Sequence, residues 1–306
     1  MSIQPETNIQ TKEQIQNNTP SLGKALRVSV IIPTHNEQLH IEECVESLLS
    51  QTLSPDDYEL IVVDDGSKDR TPQILKNYTI RYPGRVKLFH QQHGGPALAR
   101  NLGAGKALGK IFAFLDGDMY FAPDFLEKLI SPIEAGETIG SFTLDEFVAN
   151  AANIWARSWC VCYYLPVGRR VPENLTERES NVFRAIRKED FWSVGGFDSA
   201  GYHDDRSVSQ KLGKTAQRVD GATCYHYNPG SVGEVFASAI WVGKSEDQPR
   251  TLKEWLRRSP PGSLKRGIAR AMEEREPFYV VFDQVYSFGI ILGMFRRQAL
   301  RGGHAR

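Results

Sequence analysis

Two pairs of acidic residues each follow a short apolar run in this sequence. Asp116 and Asp118 come after residues 111–115, and Asp64 and Asp65 come after a second run of the same kind. Apolar runs too short for an independent helix are typical of strands buried on both faces. Carboxylates at the carboxyl ends of such strands lie where an α/β sheet binds ligands. They suit a hard divalent cation or a phosphate-bearing ligand, and a plain Asp-Gly-Asp turn is the structural alternative.

Strand-like and helix-like segments alternate ahead of these carboxylates. Strands are predicted at residues 28–32, 59–63, 85–89 and 111–115, with helices in each of the three intervals. The first helix carries its apolar residues at positions 41, 44, 45, 48 and 49, which is one face of a helix packed on a sheet. The alternation predicts a Rossmann-like α/β sheet, mixed but mostly parallel, with helices on both faces. Its polar loops, including Pro33-Thr-His-Asn-Glu37, then share one sheet edge.

Composition excludes several classes of function. The 306 residues contain 37 basic and 37 acidic side chains, so no overall charge attracts nucleic acid, and we expect no nucleic-acid partner. The four cysteines lack the paired spacing of a zinc site. Residues 1–26 form a polar arm that we predict to be disordered, without the apolar core of a signal peptide. A cytoplasmic location is therefore the expectation.

Three other nucleotide or phosphate motifs fit the sequence poorly or not at all. The glycines of residues 103–109 have one residue too many for a dinucleotide fingerprint and lie near a helix end, and no Walker A sequence is present. A strand ending in Asp-x-Asp is also how haloacid-dehalogenase-like phosphatases present their nucleophile. That motif normally opens the domain and carries Thr or Val where this chain has Tyr120. The phosphatase remains a distant alternative.

The ordered motifs resemble those of family 2 glycosyltransferases, the inverting enzymes of GT-A fold. The resemblance is carried by Val28-Ser-Val-Ile-Ile-Pro-Thr-His-Asn-Glu37, Ile61-Val-Val-Asp-Asp-Gly-Ser67, Ala99-Arg-Asn-Leu-Gly103 and Phe114-Leu-Asp-Gly-Asp118. It continues through Ser180-Asn181, Gly195-Gly-Phe-Asp198 and Asp204-Asp205, so it covers roughly residues 27–230. It implies a glycosyltransferase that uses a nucleotide-diphosphate sugar.

The resemblance assigns the donor side of the site to the first half of the chain. It implies that Asp65 accepts a hydrogen bond from the nucleobase, and that Asp116 faces the ribose or the water shell of the metal. Asp118 would be the direct ligand of Mn²⁺ or Mg²⁺. Arg100 could bind the diphosphate, and a solvated helix residue is the alternative. The pocket for the nucleotide would be lined by Pro33, Thr34, Asn36 and Glu37.

The second half would supply the acceptor side. The resemblance makes Asp205 the general base, with Asn181 and Asp204 nearby. The sequence departs from the family pattern at Asp204, where Glu is usual, and at Ser207, where another Asp usually follows. His226 lies where related enzymes often carry a histidine near the metal, and a packed core histidine is its alternative.

The chain is expected to divide into three parts. A GT-A domain at residues 27–235 has a nucleotide-sugar half (27–120) and an acceptor half (121–235), and residues 236–306 form a helical extension. Within that extension, residues 251–275 are basic and amphipathic, and residues 278–295 are nearly uncharged apart from Asp283. Three readings stay open for these segments: helices lying on an anionic membrane surface, a helix pair closing the core or a dimer contact, and a membrane span.

The expected function is the transfer of a sugar to an acceptor hydroxyl with inversion, aided by a divalent cation. The sequence lacks the Gln-x-x-Arg-Trp motif of the processive synthases of the family, so a single transfer per encounter is expected. The acceptor would be a carbohydrate or lipid-linked molecule of cell-surface glycan synthesis, met at the inner face of the cell membrane. The competing hypothesis is a protein that binds nucleotide sugars without turnover.

Overall fold

The computed structural model describes residues 25–172, 177–199, 204–245 and 259–302. Its strands are β1 (Val28–Thr34), β2 (Tyr58–Asp64), β3 (Val86–His90), β4 (Ile111–Phe114), β5 (Met119–Phe121), β6 (Gly140–Thr143), β7 (Glu146–Val148), β8 (Glu179–Ser180), β9 (Ala185–Arg187), β10 (Ala216–Val219) and β11 (Cys224–His226). Its α-helices are α1 (Ile41–Leu49), α2 (Thr71–Arg81), α3 (Pro96–Lys106), α4 (Phe125–Glu134), α5 (Ile154–Cys162), α6 (Lys188–Ser193), α7 (Ser207–Leu212), α8 (Val232–Ser245), α9 (Pro260–Glu274) and α10 (Tyr279–Gly302). The predicted arm at residues 1–26 lies almost wholly outside the described residues.

The strands form two sheets. The larger sheet has the order β3-β2-β1-β4-β9-β6-β10-β8, with parallel pairing among β1 to β4 and between β6 and β10. β9 runs antiparallel between β4 and β6. The smaller sheet has the order β5-β11-β7. The mixed, mostly parallel α/β fold predicted from the alternation is confirmed.

The central strands are buried on both faces, as their unbroken apolar sequences predict. Val30 and Ile32 of β1 pack into one core with α1, whereas Ile31 packs into a second core with α3 on the opposite face. β1 runs two residues past its predicted end, through Pro33 to Thr34. β4 pairs with β1 only as far as Ile31, so the missing N–H of Pro33 falls beyond that ladder.

The C-terminal helices pack against the rest of the chain. Trp159 of α5, Val235 of α8 and Phe282 of α10 belong to a third core. Asp283 is buried beside Arg266 of α9, at 3.6 Å between Oδ2 and Nη2. The apolar segment therefore closes a core, as one of the three readings expected, and the predicted boundary at residue 235 lies inside α8.

Part of the basic segment, residues 251–258, lies outside the described residues. Among the helices that the structure describes, none combines the length and apolar character required to cross a bilayer.

Close contact between α8 and α10 depends on glycine, so we predict that Gly243→Ala destabilises the fold. A Cβ at Gly243 would lie 2.3 Å from the backbone oxygen of Ile290, and the helices would have to separate. We expect the free energy of unfolding to fall by about 1–3 kcal/mol in denaturant titrations. The control is Gly233→Ala in the same helix, where the nearest atom is 4.0 Å away. Equal loss in both variants would contradict the packing explanation.

Candidate active site

The loop after β1 is fastened to the loop after β2. Asn36, which has a positive φ of 59°, donates its backbone N–H to Ser67 Oγ at 2.8 Å. Its side-chain oxygen accepts from the backbone N–H of Lys68, also at 2.8 Å. The backbone N–H of Glu37 donates to Thr71 Oγ1 at 2.8 Å. These bonds place Asn36 and Glu37 at the carboxyl edge of the sheet, where the sequence predicted them.

Asp65 binds the loop that leads into α3. Its Oδ1 accepts hydrogen bonds from Gln91 Nε2 at 2.7 Å and from the backbone N–H of Gly94 at 2.8 Å, and its Oδ2 accepts from Gly95 N–H at 2.9 Å. Burial raises the pKa of Asp65, but these hydrogen bonds outweigh burial and lower it below the ordinary value. Both carboxylate oxygens of the predicted base reader are thus engaged by the protein itself.

Asp116 lies between two arginines. Arg100 Nη2 contacts its Oδ1 at 2.9 Å, and Arg184 Nη1 contacts its Oδ2 at 3.1 Å. Burial raises the pKa of Asp116, but the two guanidinium groups outweigh burial and hold the pKa well below the ordinary value. Asp116 is therefore a charged group at neutral pH. Arg100 is mostly buried and paired, not a solvated helix residue.

The same pairing continues to the second carboxylate of the Asp-Gly-Asp motif. Arg184 Nη2 contacts Glu146 Oε2 at 3.2 Å, and Glu146 Oε1 contacts His226 Nδ1 at 3.1 Å. His226 Nε2 in turn contacts Asp118 Oδ2 at 2.9 Å. We call this alternation the charge chain; it consists of Arg100, Asp116, Arg184, Glu146, His226 and Asp118.

Two protonation equilibria in the site are shifted upward. Burial lowers the pKa of His226, as does Arg170, but Asp118 and Glu146 outweigh both and raise it. Burial, followed by repulsion from Asp118 and Asp116, raises the pKa of Glu37 to about 9. Glu37 therefore holds a proton at neutral pH because it is buried close to other carboxylates.

Asp118 and His226 are suited to share a divalent cation. Ligand atoms about 2.1 Å from a metal and at right angles to each other lie about 3 Å apart. The observed separation of Asp118 Oδ2 and His226 Nε2 is 2.9 Å. Glu146 holds the other ring nitrogen, as a carboxylate commonly does behind a metal-binding histidine. A separate set of potential ligand atoms, all within 4.8 Å of one another, belongs to His35, Asp65 and His93.

The acceptor-side residues Asp204 and Asp205 directly precede α7. Asp204 is buried; its Oδ2 accepts from the backbone N–H of Ala97 at 3.1 Å, and its Oδ1 lies 3.4 Å from Arg100 Nη1. Ser207 donates to the backbone oxygen of Asp204 at 2.6 Å and accepts from the backbone N–H of Asp198 at 3.0 Å. Both departures from the family pattern therefore stabilise the turn that carries Asp205.

A cavity of about 310 Å³ brings together residues from both halves of the chain. Asp116 and Arg100 from the first half line it with Asp205 and His226 from the second. Asp205 Oδ1 has no hydrogen-bond partner among the described residues. The full lining is Arg100, Phe114, Asp116, Arg170, Val182, Phe183, Arg184, Phe197, Asp205, Arg206 and His226.

A second cavity of about 680 Å³ adjoins the first, because Arg170 and His226 line both. Asn36, Glu37 and Asp118 lie on its wall. Other predicted residues are near these cavities without lining them: Pro33 and Thr34 are buried in β1, Asp65 supports the loop before α3, and the exposed Asn181 accepts a hydrogen bond from Ser209 at 3.2 Å.

Three residues of the site were not predicted. Arg184 contacts Asp116, and Glu146 contacts His226. Arg170 contacts Glu146. No motif in the sequence singles out any of the three. No spacing links them to the Asp-Gly-Asp motif, since β7 and β9 are brought to it only by the assembly of the two sheets.

Comparison with known proteins agrees with this architecture. EpsJ of Bacillus subtilis (strain 168), an uncharacterised glycosyltransferase, is 41% identical over 110 residues, which are 36% of this chain and 31% of EpsJ. GgaB of the same organism, a minor teichoic acid biosynthesis protein, is 35% identical over 34% of this chain and 11% of its own length. The similarity thus spans a third or less of these curated relatives.

Solved structures resemble the chain over a greater length. The mannosyltransferase PcManGT from Pyrobaculum calidifontis, solved in complex with GDP-Man and Mn²⁺, is 19% identical over 90% of this chain and 89% of its own, with a TM-score of 0.58. This similarity confirms the GT-A fold. The sequence profile named "Glycosyl transferase family 2" matches residues 29–195, more than half of the chain. The protein therefore belongs to glycosyl transferase family 2.

Proposed function

We propose that this glycosyltransferase moves a sugar from a nucleotide-diphosphate sugar to an acceptor hydroxyl by a single, inverting displacement that depends on a divalent cation. The observation that carries the proposal is the shared cavity of Asp116 and Asp205. These carboxylates lie 89 positions apart in the sequence, and Arg100 and His226 line the cavity with them. A donor and an acceptor can meet there with a candidate base at hand.

The donor diphosphate is assigned to the side of the second cavity that Asp118 and His226 line. Asp118 and His226 would hold Mn²⁺ or Mg²⁺, which matches their 2.9 Å separation and the Mn²⁺ complex of PcManGT. When bound, the cation would stabilise the negative charge that develops on the departing diphosphate. Asn36 and Glu37 would line the nucleotide end of the second cavity. Asp65 would either accept a hydrogen bond from the nucleobase or position the loop before α3 against it.

Asp205 is the proposed general base. Its carboxylate takes the proton from the acceptor hydroxyl, whose oxygen then forms a bond to the anomeric carbon as the bond to the diphosphate breaks. Attack from the face opposite the diphosphate inverts the anomeric centre. Asp204 holds Arg100 and the start of α3, so it would position the site and not take the proton.

The proposed setting is cell-envelope glycan synthesis, with one sugar added per encounter. The setting is supported by the similarity to GgaB, a minor teichoic acid biosynthesis protein. The single addition is supported by the sequence, which lacks the Gln-x-x-Arg-Trp motif of processive synthases. A peripheral contact with an anionic membrane is also proposed for α9, which exposes Leu264, Ile268 and Met272 at a four-residue spacing beside Lys265. The acceptor would then be a carbohydrate or lipid-linked molecule at the inner face of that membrane.

Asp118→Ala tests the donor site. With Mn²⁺ present, we expect the sugars of one nucleotide, UDP, GDP or dTDP, to raise the melting temperature of the native protein. The reason is that a ligand at one hundred times its Kd stabilises the folded state by about 2.7 kcal/mol. The shift should disappear without Mn²⁺ and in the variant. A metal-independent shift that survives Asp118→Ala would contradict the proposed cation site.

Asp205→Asn tests turnover. We expect the release of nucleoside diphosphate in the presence of acceptor to fall by about 10²–10⁴-fold while the affinity for the donor is unchanged. The control is Asp198→Asn, an exposed carboxylate seven positions earlier that pairs with Lys211. A protein that only binds would release no nucleoside diphosphate, and a phosphatase would release inorganic phosphate and would depend on Asp116.

Glu37→Gln tests the electrostatics of the donor cavity. Because the pKa of Glu37 is raised to about 9, the folded protein holds a proton that the unfolded chain loses above about 4.5, so this contribution to stability declines as pH rises between those values. Glutamine does not titrate. The variant should match the native melting temperature at pH 5 and exceed it increasingly up to pH 9. A difference that does not change with pH would contradict the assignment.

A further inference from the structure

The cavity around Asp205 contains more positive charge than the proposed transfer of a neutral sugar requires. Four arginines line it, against the two carboxylates of Asp116 and Asp205. The arginines come from separate segments of the chain: Arg100, Arg170, Arg184 and Arg206. Guanidinium groups present several N–H donors in a fixed plane, which suits carboxylate and phosphate oxygens. The question is which of the four remain available to a ligand.

Two of the arginines are neutralised within the charge chain. Arg100 contacts Asp116 at 2.9 Å and Asp204 at 3.4 Å, and Arg184 contacts Asp116 at 3.1 Å and Glu146 at 3.2 Å. Each is held between two carboxylates. Their function in this geometry is to fix Asp116, and they leave little charge for a ligand.

Arg170 is only partly neutralised. Its Nε lies 3.6 Å from Glu146 Oε1, an oxygen that is also 3.1 Å from His226 Nδ1. Its Nη1 donates to the side-chain oxygen of Asn228 at 2.5 Å. Asn228 is neutral, so the bond orients the guanidinium without cancelling its charge. The Arg170 guanidinium is therefore held in position, and its positive charge is only partly neutralised.

Arg206 forms no ion pair with any residue that the structure describes. It is exposed, it follows Asp205 directly in the chain, and it lines the same cavity. A charged ligand in this cavity would meet the Arg206 guanidinium at the side of the proposed base. Because Arg206 is exposed and takes no part in the charge chain, its guanidinium can contact a ligand in the cavity.

We propose that the sugar bound in this cavity carries an anionic group, a carboxylate or a phosphate, that Arg206 and Arg170 recognise. This inference rests on the proposed function and specifies the class of its substrate. The anion is distinct from the donor diphosphate, which the proposed function assigns to the Asp118 and His226 side. It has two possible sources: a uronic-acid donor sugar, or an acceptor with a phosphate or carboxylate substituent.

Matched substrate pairs test the inference on the 306-residue chain with Mn²⁺. The donor arm compares UDP-glucuronic acid with UDP-glucose, and GDP-mannuronic acid with GDP-mannose, by titration calorimetry. The acceptor arm compares glucose 6-phosphate with glucose by ligand-observed NMR in the presence of UDP or GDP. We expect the charged member of a pair in one arm to bind about tenfold or more tightly than its neutral partner.

Variants of one residue locate the effect. Arg206→Gln should remove the preference for the charged member and leave the affinity for UDP and GDP unchanged, while Arg206→Lys should keep part of it. Arg81→Gln removes the same charge from an exposed site on α2 and should change nothing.

Three results would overturn the inference. Equal affinity for charged and neutral members in both arms would leave the proposed function standing and remove the anion site. Weaker binding of UDP or GDP to Arg206→Gln would assign this arginine to the diphosphate instead. Failure of every nucleotide to bind the native protein would refute the proposed function, and this inference with it.

Discussion

The charge chain is the interaction on which the rest of the site depends. It alternates positive and negative groups from Arg100 through Arg184 to His226, with separations of 2.9–3.2 Å. Its members come from both sheets and from α3, so it joins the two halves of the fold where the ligand would bind. Buried charges are tolerated only when they are paired. Because each inner member faces two partners, loss of one would remove two ion pairs and leave one charge unbalanced in the site.

The departures from the family pattern become understandable in this context. The shorter side chain of Asp204 still reaches both the backbone of Ala97 and the guanidinium of Arg100. Ser207, where an acidic residue is usual, closes the turn with two hydrogen bonds, to Asp204 and from Asp198. Both residues therefore make contacts that hold the turn next to Asp205.

The sequence predicted whatever depends on local periodicity or on strand ends. Strands β1 to β4 were predicted within two residues because they are unbroken apolar runs, and their loops share an edge because the strands are parallel. Glu146 and Arg184 could not be found this way. Their partners are set by β9, which enters antiparallel between β4 and β6, and by the packing of the smaller sheet. The engagement of both Asp65 oxygens likewise follows from a loop conformation that no spacing encodes.

The chain has equal numbers of basic and acidic residues, but the two sides of the site carry opposite charge. On the side of Glu37 and Asp118, burial and nearby negative groups raise the pKa of Glu37 to about 9, and the carboxylates of Asp118 and Glu146 raise that of His226. This concentration of negative charge is the feature that a cation would balance. On the side of Arg170 and Arg206, positive charge is left over after the internal pairs are formed. Since His226 and Arg170 line both cavities, the two sides meet at one wall. A cation bound with the donor beside Asp118, and an anionic group of the substrate beside Arg206, would balance the charges that the protein itself leaves unpaired.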